Sequence, residues 1–128
     1  MSDETMIARI TQILRELNQG GGFNVSVLTD DRGLALACAS EADQEAQTQA
    51  AVVALVEKAA GRVTDQLGMG ATDEVAVSDT HGRVLVCRRF SAADKGFILS
   101  ILVPGRQRPY RLLTNRAVRS LQRILESL

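Results

Sequence analysis

Seven consecutive apolar residues, Ala50-Ala51-Val52-Val53-Ala54-Leu55-Val56, sit inside a segment whose pattern is helical from about Glu41 to Leu67. Helical spacing places Ala46, Ala50, Val53, Val56, Ala60, Val63 and Leu67 on one stripe, suited to lie on a sheet. The uninterrupted run goes all the way round the helix, however, and leaves Ala51, Val52, Leu55 and Ala59 turned away from that stripe. A helix apolar on every side is normally buried on every side. A chain of 128 residues with two further helices has little material for a second cover. A symmetric partner helix is the economical cover, and a loop or another helix of the same chain is the alternative. Ser40-x-x-Asp43 reads as a capping box with aspartate in place of glutamate, and Gly68 as the stop.

The remaining elements follow from periodicity. Met6, Ile7, Ile10, Ile13, Leu14 and Leu17 recur every three or four residues, predicting a helix over about Asp3 to Asn18 that Gly20-Gly21-Gly22 ends. Phe23 to Thr29 and Leu34 to Ala39 are strand-like runs joined by Asp30-Asp31-Arg32-Gly33, a hairpin signal in which glycine takes the positive φ. The pattern returns at an offset of 49 residues: Glu74 to Ser78, then Asp79-Thr80-His81-Gly82, then Arg83 to Phe90. Convergent turn chemistry explains the repeat as well as duplication does. A fifth strand, Phe97 to Val103, is apolar on both faces and is therefore expected at the centre of the sheet. A last helix, about Pro109 to Leu128, carries Leu112, Leu113, Ala117, Val118, Leu121, Ile124, Leu125 and Leu128 at helical spacing. The order α-β-β-α-β-β-β-α with short hairpins predicts one α+β domain over residues 1–128, built on an antiparallel sheet.

Charge narrows the function classes. The chain has 15 basic and 15 acidic side chains, yet residues 1–80 hold thirteen acids and five bases while 81–128 hold two acids and ten bases. Overall neutrality gives no support to general nucleic-acid or membrane binding. The acidic start, Met1-Ser2-Asp3-Glu4, is unlike a secretory signal, and no apolar run approaches bilayer-spanning length, so a cytoplasmic protein is expected. Arg116, Arg119 and Arg123 share one side of the last helix, with Arg106, Arg108 and Arg111 just before it. Such a row can contact phosphates or an acidic protein surface, and equally forms an ordinary solvated face paired with acids of the first helix.

Catalytic chemistry is not signalled. There is no phosphate-binding glycine loop ending in Lys-Ser/Thr, and Gly68-Met69-Gly70 follows a helix, the wrong context for a dinucleotide site. His81 is the single histidine and sits in a turn; Cys38 and Cys87 lie in strand-like runs without metal-ligand spacing. No catalytic residue, cofactor or metal is assigned.

With this layout, the chain resembles the roadblock/dynein light-chain family, particularly its prokaryotic members. The resemblance rests on Gly22-Phe23-Asn24-Val25-Ser26-Val27-Leu28-Thr29-Asp30-Asp31-Arg32-Gly33-Leu34, the alanine-rich long helix and the strand-turn-strand around Asp79 to Gly82. It implies a roadblock, profilin-like fold: five antiparallel strands with the long helix on one face and the terminal helices on the other. It further implies dimerisation through the long helix and third strand, which here are the Ala50–Val56 run and Glu74, Val75, Ala76, Val77 and Ser78. Family members are scaffolds or regulators of small Ras-like GTPases, some bacterial ones promoting GTP hydrolysis by the partner. Arg106-Gln107-Arg108-Pro109-Tyr110-Arg111 is where the sequence departs from the family's usual segment. The expected function is thus a non-catalytic, homodimeric GTPase regulator or scaffold. A small-ligand-sensing domain of similar build, and a nucleic-acid module using the arginine helix, are the alternatives, nucleic acid being the less favoured.

Overall fold

A computed structural model describes residues 2–105 and 108–127. Asp3–Gly21 (α1) buries Met6, Ile10, Leu14 and Leu17, the stripe that the spacing predicts. The Ser2 hydroxyl caps it by accepting the Thr5 N–H. The helix runs through Gly20 and Gly21 rather than ending before them. Its stop is Gly22, whose φ of 68° makes it the left-handed C-cap, with the cap N–H donating to the Asn18 carbonyl. Glycine is required there twice over, because a Cβ on Gly22 would collide with the Arg108 guanidinium, which donates to the Gly21 carbonyl.

Val25–Asp30 (β1) and Ala35–Ser40 (β2) form the first hairpin, and Glu74–Ser78 (β3) with Val84–Ala92 (β4) the second. The two turns share one chemistry. Asp30 Oδ1 accepts from the N–H of Arg32 and Leu34; Asp79 Oδ1 accepts from the N–H of His81 and Arg83. Gly33 and Gly82 then close each turn at φ of 92° and 89°. An aspartate that bonds its own turn and a glycine that supplies positive φ suffice to produce the repeat. Lys95–Val103 (β5) completes a sheet of order β2-β1-β5-β4-β3, antiparallel throughout, with β5 at the centre as its apolar run requires.

The faces divide by strand alternation. On one side α1 and Arg111–Leu125 (α3) close the larger core, which includes Leu28, Val86, Leu99, Ile101 and Leu121. On the other side lies Asp43–Leu67 (α2), over two smaller clusters: Val25, Val27, Ala46 and Ala50, then Val53, Cys87 and Ile98. Buried polar contacts fix each layer. Ser26 donates to the Leu14 carbonyl of α1, and Gln49 of α2 donates to Ser100 Oγ on the central strand.

The expected capping box does not form. The N-cap of α2 is Ala42, without a side-chain cap; Ser40 instead accepts the Ala42 N–H and donates to the Ala42 carbonyl, closing a local turn before the helix begins. The predicted sheet-facing stripe also fails at its end. Ala46, Ala50 and Val53 are buried, but Val63 and Leu67 are 53% and 70% exposed because the sheet does not extend beneath the last turns. No helix among the described residues is long and apolar enough to cross a membrane.

Candidate interaction surface

The run that opened the sequence argument lies on the surface. Val53 is buried under α2, whereas Leu55 is 70% exposed, Val52 is 39% exposed, and Ala51 and Ala59 are exposed. At 3.6 residues per turn, Val52, Leu55, Ala59 and Val63 fall within roughly 80° of one another. They form a second apolar face beside the sheet-facing one. Among the described residues, no other element of the chain covers it.

The third strand is an edge strand, paired only with β4. The bonds flanking the ladder, Arg89 N–H to the Asp73 carbonyl and Asp79 N–H to the Arg83 carbonyl, mark the odd-numbered residues as those that bond to β4. In an antiparallel ladder the alternate residues then turn their backbone outward. Glu74, Ala76 and Ser78 therefore present N–H and C=O groups away from the sheet. Their side chains lie on the α1–α3 face, while Val75 and Val77 lie on the α2 face. Val75 is half-buried against the Val53, Cys87 and Ile98 cluster; Val77 is 51% exposed. The α2 face and the β3 edge thus adjoin on one side of the molecule, although they are well separated in sequence.

Glu74 is held in place rather than exposed. Its Oε2 accepts from the Tyr110 hydroxyl at 3.1 Å and from Arg111 at 3.4 Å, tying the edge strand to the start of α3. Burial first, then the Glu74 acceptor and its charge, push the Tyr110 phenol above its ordinary pKa. Beneath α2, Glu57 stands 3.8 Å from Arg89 with one carboxylate oxygen buried and unpartnered. Burial raises the Glu57 carboxyl, opposed by the Arg89 charge and a hydrogen bond with Thr72. The neighbouring Cys87 thiol is pushed up to about 12 by burial and the Glu57 charge, so it remains a thiol at neutral pH.

Arg116, Arg119 and Arg123 project from the exposed side of α3, on the opposite face of the sheet from α2. Arg123 and Glu16 line the same shallow groove between α1 and α3, but no ion pair joins them among the described residues. Arg106 and Gln107, in the segment that departs from the roadblock pattern, lie outside the described residues. His81 is exposed in its turn, and its backbone N–H serves Asp79. Val63, Leu67 and Met69 extend the apolar surface beyond the residues expected from sequence. Periodicity had assigned the first two to the core, and Met69 lies in the linker where no period applies. The larger concavity is an open groove of about 780 Å³ beside the start of α2, lined among others by Arg15, Asn18, Gln19, Glu41 and Glu45. It is polar and open, unlike the enclosed apolar pocket typical of a small-ligand site.

No family model and no curated protein matches the sequence. Solved structures do match across nearly its whole length. The gliding protein MglB from Thermus thermophilus is 22% identical, with a TM-score of 0.77 over 96% of this chain and 93% of that one. An MglB with a tetrameric arrangement is 22% identical, with a TM-score of 0.75 over 95% and 91%. A Roadblock/LC7 domain from Streptomyces avermitilis is 17% identical, with a TM-score of 0.73 over 89% and 92%. Element order, sheet topology and these superpositions agree: the chain has the roadblock/LC7 fold that MglB also adopts.

Proposed function

We propose that this protein is a cytoplasmic, non-catalytic homodimer that regulates or scaffolds a small Ras-like GTPase, as roadblock proteins do. The observation that carries the reading is the joined surface of α2 and β3: an exposed apolar helix face beside a free strand edge. The outward groups Glu74, Ala76 and Ser78 are symmetric about Ala76, so a second β3 can pair with the first about a two-fold axis through that residue. One sheet then continues through both copies, and the Val52, Leu55 and Ala59 face of each α2 meets its counterpart. The pairing satisfies the open edge and the apolar helix face together. That one of the similar structures is an MglB with a tetrameric arrangement is consistent with self-association on this fold.

Regulation follows from differential binding: a dimer that prefers one nucleotide state of its partner shifts the partner toward that state. The test has two parts. Light scattering across a concentration series is expected to give twice the chain mass; a monomer at high concentration would remove the dimer. Immobilised protein is then offered the source organism's small Ras-like GTPases, each loaded with GDP or a non-hydrolysable GTP analogue. State-dependent retention, or accelerated phosphate release from GTP, supports regulation; equal retention of both states supports a scaffold; no retention ends the GTPase reading.

A further inference from the structure

The α1–α3 face carries a second surface, independent of the dimer reading. On a helix of 3.6 residues per turn, Leu112, Arg116, Arg119 and Arg123 lie within roughly 60° of one another. All four are exposed, and the row extends about 16 Å along α3 at 1.5 Å per residue. Arginines three and four positions apart repel and lower helix stability unless acids offset them. Here none does: the ion pairs among the described residues engage Arg83, Arg88, Arg89 and Arg111, and none reaches Arg116, Arg119 or Arg123. Arg119 donates only to the Asn115 carbonyl of its own helix, and the nearby Glu16 accepts from Gln12. The row is unfavourable to the isolated chain.

We infer that this row docks an acidic segment of a partner protein, about three helical turns long, with Leu112 as an apolar contact at one end. Carboxylates at helical spacing match the guanidinium row, and arginine receives carboxylate in paired hydrogen bonds. A protein segment fits better than a nucleic acid or an anionic membrane. The row is narrow, and exposed acids surround it: Asp3, Glu4 and Glu16 on α1 and Glu126 just past α3. An extended phosphate surface would meet these acids, whereas a single acidic helix avoids them. Because the row faces away from α2, both copies in a dimer would present it.

Fluorescence anisotropy tests the assignment with a labelled twelve-residue peptide bearing glutamates at every third or fourth position and one terminal leucine. The wild-type protein is expected to bind it, more weakly as salt rises. Arg116→Glu, Arg119→Glu and Arg123→Glu together should weaken binding at least tenfold, while the triple lysine variant retains part of it. Triple Arg→Gln should leave the melting temperature unchanged or raised, because no internal contact is lost. Absence of peptide binding, equal binding by the glutamate variant, or tighter binding of a single-stranded oligonucleotide or anionic vesicle overturns the proposal. So does a lowered melting temperature in the glutamine variant, which would show that the arginines serve the fold. Oligomeric mass measured in parallel keeps this outcome separate from that of the dimer.

Discussion

Truncating Leu55 to alanine separates the interface from the fold, because the side chain does little for the single chain. Full burial of a leucine contributes about 1.5–3 kcal/mol relative to exposure. Leu55 is 70% exposed in one copy, so about 1–2 kcal/mol remains available when a second copy covers it. A two-fold interface uses the residue twice, so Leu55→Ala should weaken the dimer by about 2–4 kcal/mol in total. At 1.4 kcal/mol per tenfold, the dissociation constant rises roughly 30-fold to several hundred-fold. Sedimentation across a concentration series reads this shift directly. Circular dichroism of the diluted, monomeric variant should show the wild-type helix content, since exposed substitutions seldom alter stability by more than about 0.5 kcal/mol. Val53→Ala is the contrasting control: Val53 is fully buried against Cys87 and Ile98, and its truncation should destabilise the single chain itself. An unchanged dimer constant in Leu55→Ala would refute the argument, as would loss of fold at that position.

Three further outcomes follow from the same geometry. Glu57 has a folded pKa above its unfolded value, so the folded chain holds the proton more tightly, and stability falls as pH rises from about 4.5 through the folded pKa. Glu57→Gln should therefore gain melting temperature over wild type at pH 7.5 and lose most of that gain at pH 4.5; a gain independent of pH would contradict it. Cys87, buried and with its pKa pushed up to about 12, should resist a thiol reagent in the native protein and react on unfolding, whereas the half-buried Cys38 should react first; mass spectrometry of the labelled peptides distinguishes them. Gly33→Ala should destabilise by about 1–3 kcal/mol in urea denaturation, since its φ is 92° and its Cβ would sit 2.9 Å from that of Ala54 on α2; an unchanged midpoint would mean the hairpin tip does not support the long helix.

What the sequence reveals and conceals has a physical division. The hairpins are legible because their determinants are local: Asp30 and Asp79 bond within five residues of themselves, and Gly33 and Gly82 act on their own φ. The central place of β5 is legible because burial on both faces leaves an unbroken apolar run. Helix ends are less so, since Gly20 and Gly21 tolerate helix when the Asn18 carbonyl can be reached from Gly22 beyond them. The pairing of Glu74 with Tyr110 and Arg111, 36 and 37 residues away, depends on where α3 begins, which no local pattern encodes.

The long helix shows the same division within one element. Periodicity identifies which residues share a face, and Ala46, Ala50 and Val53 do share the buried one. It does not reveal how far the supporting sheet reaches. α2 is 25 residues long, and at 1.5 Å per residue it spans about 37 Å, while five strands at about 4.8 Å spacing cover little more than half of that across the sheet. A helix of that length must overhang unless it follows the strands, and Val63, Leu67 and Met69 are where its apolar side chains pass beyond the core. A sequence tuned only for the single chain would change to polar residues at that point. This one remains apolar beside Val77 on the free edge, and a second copy of the chain is the cover that accounts for both.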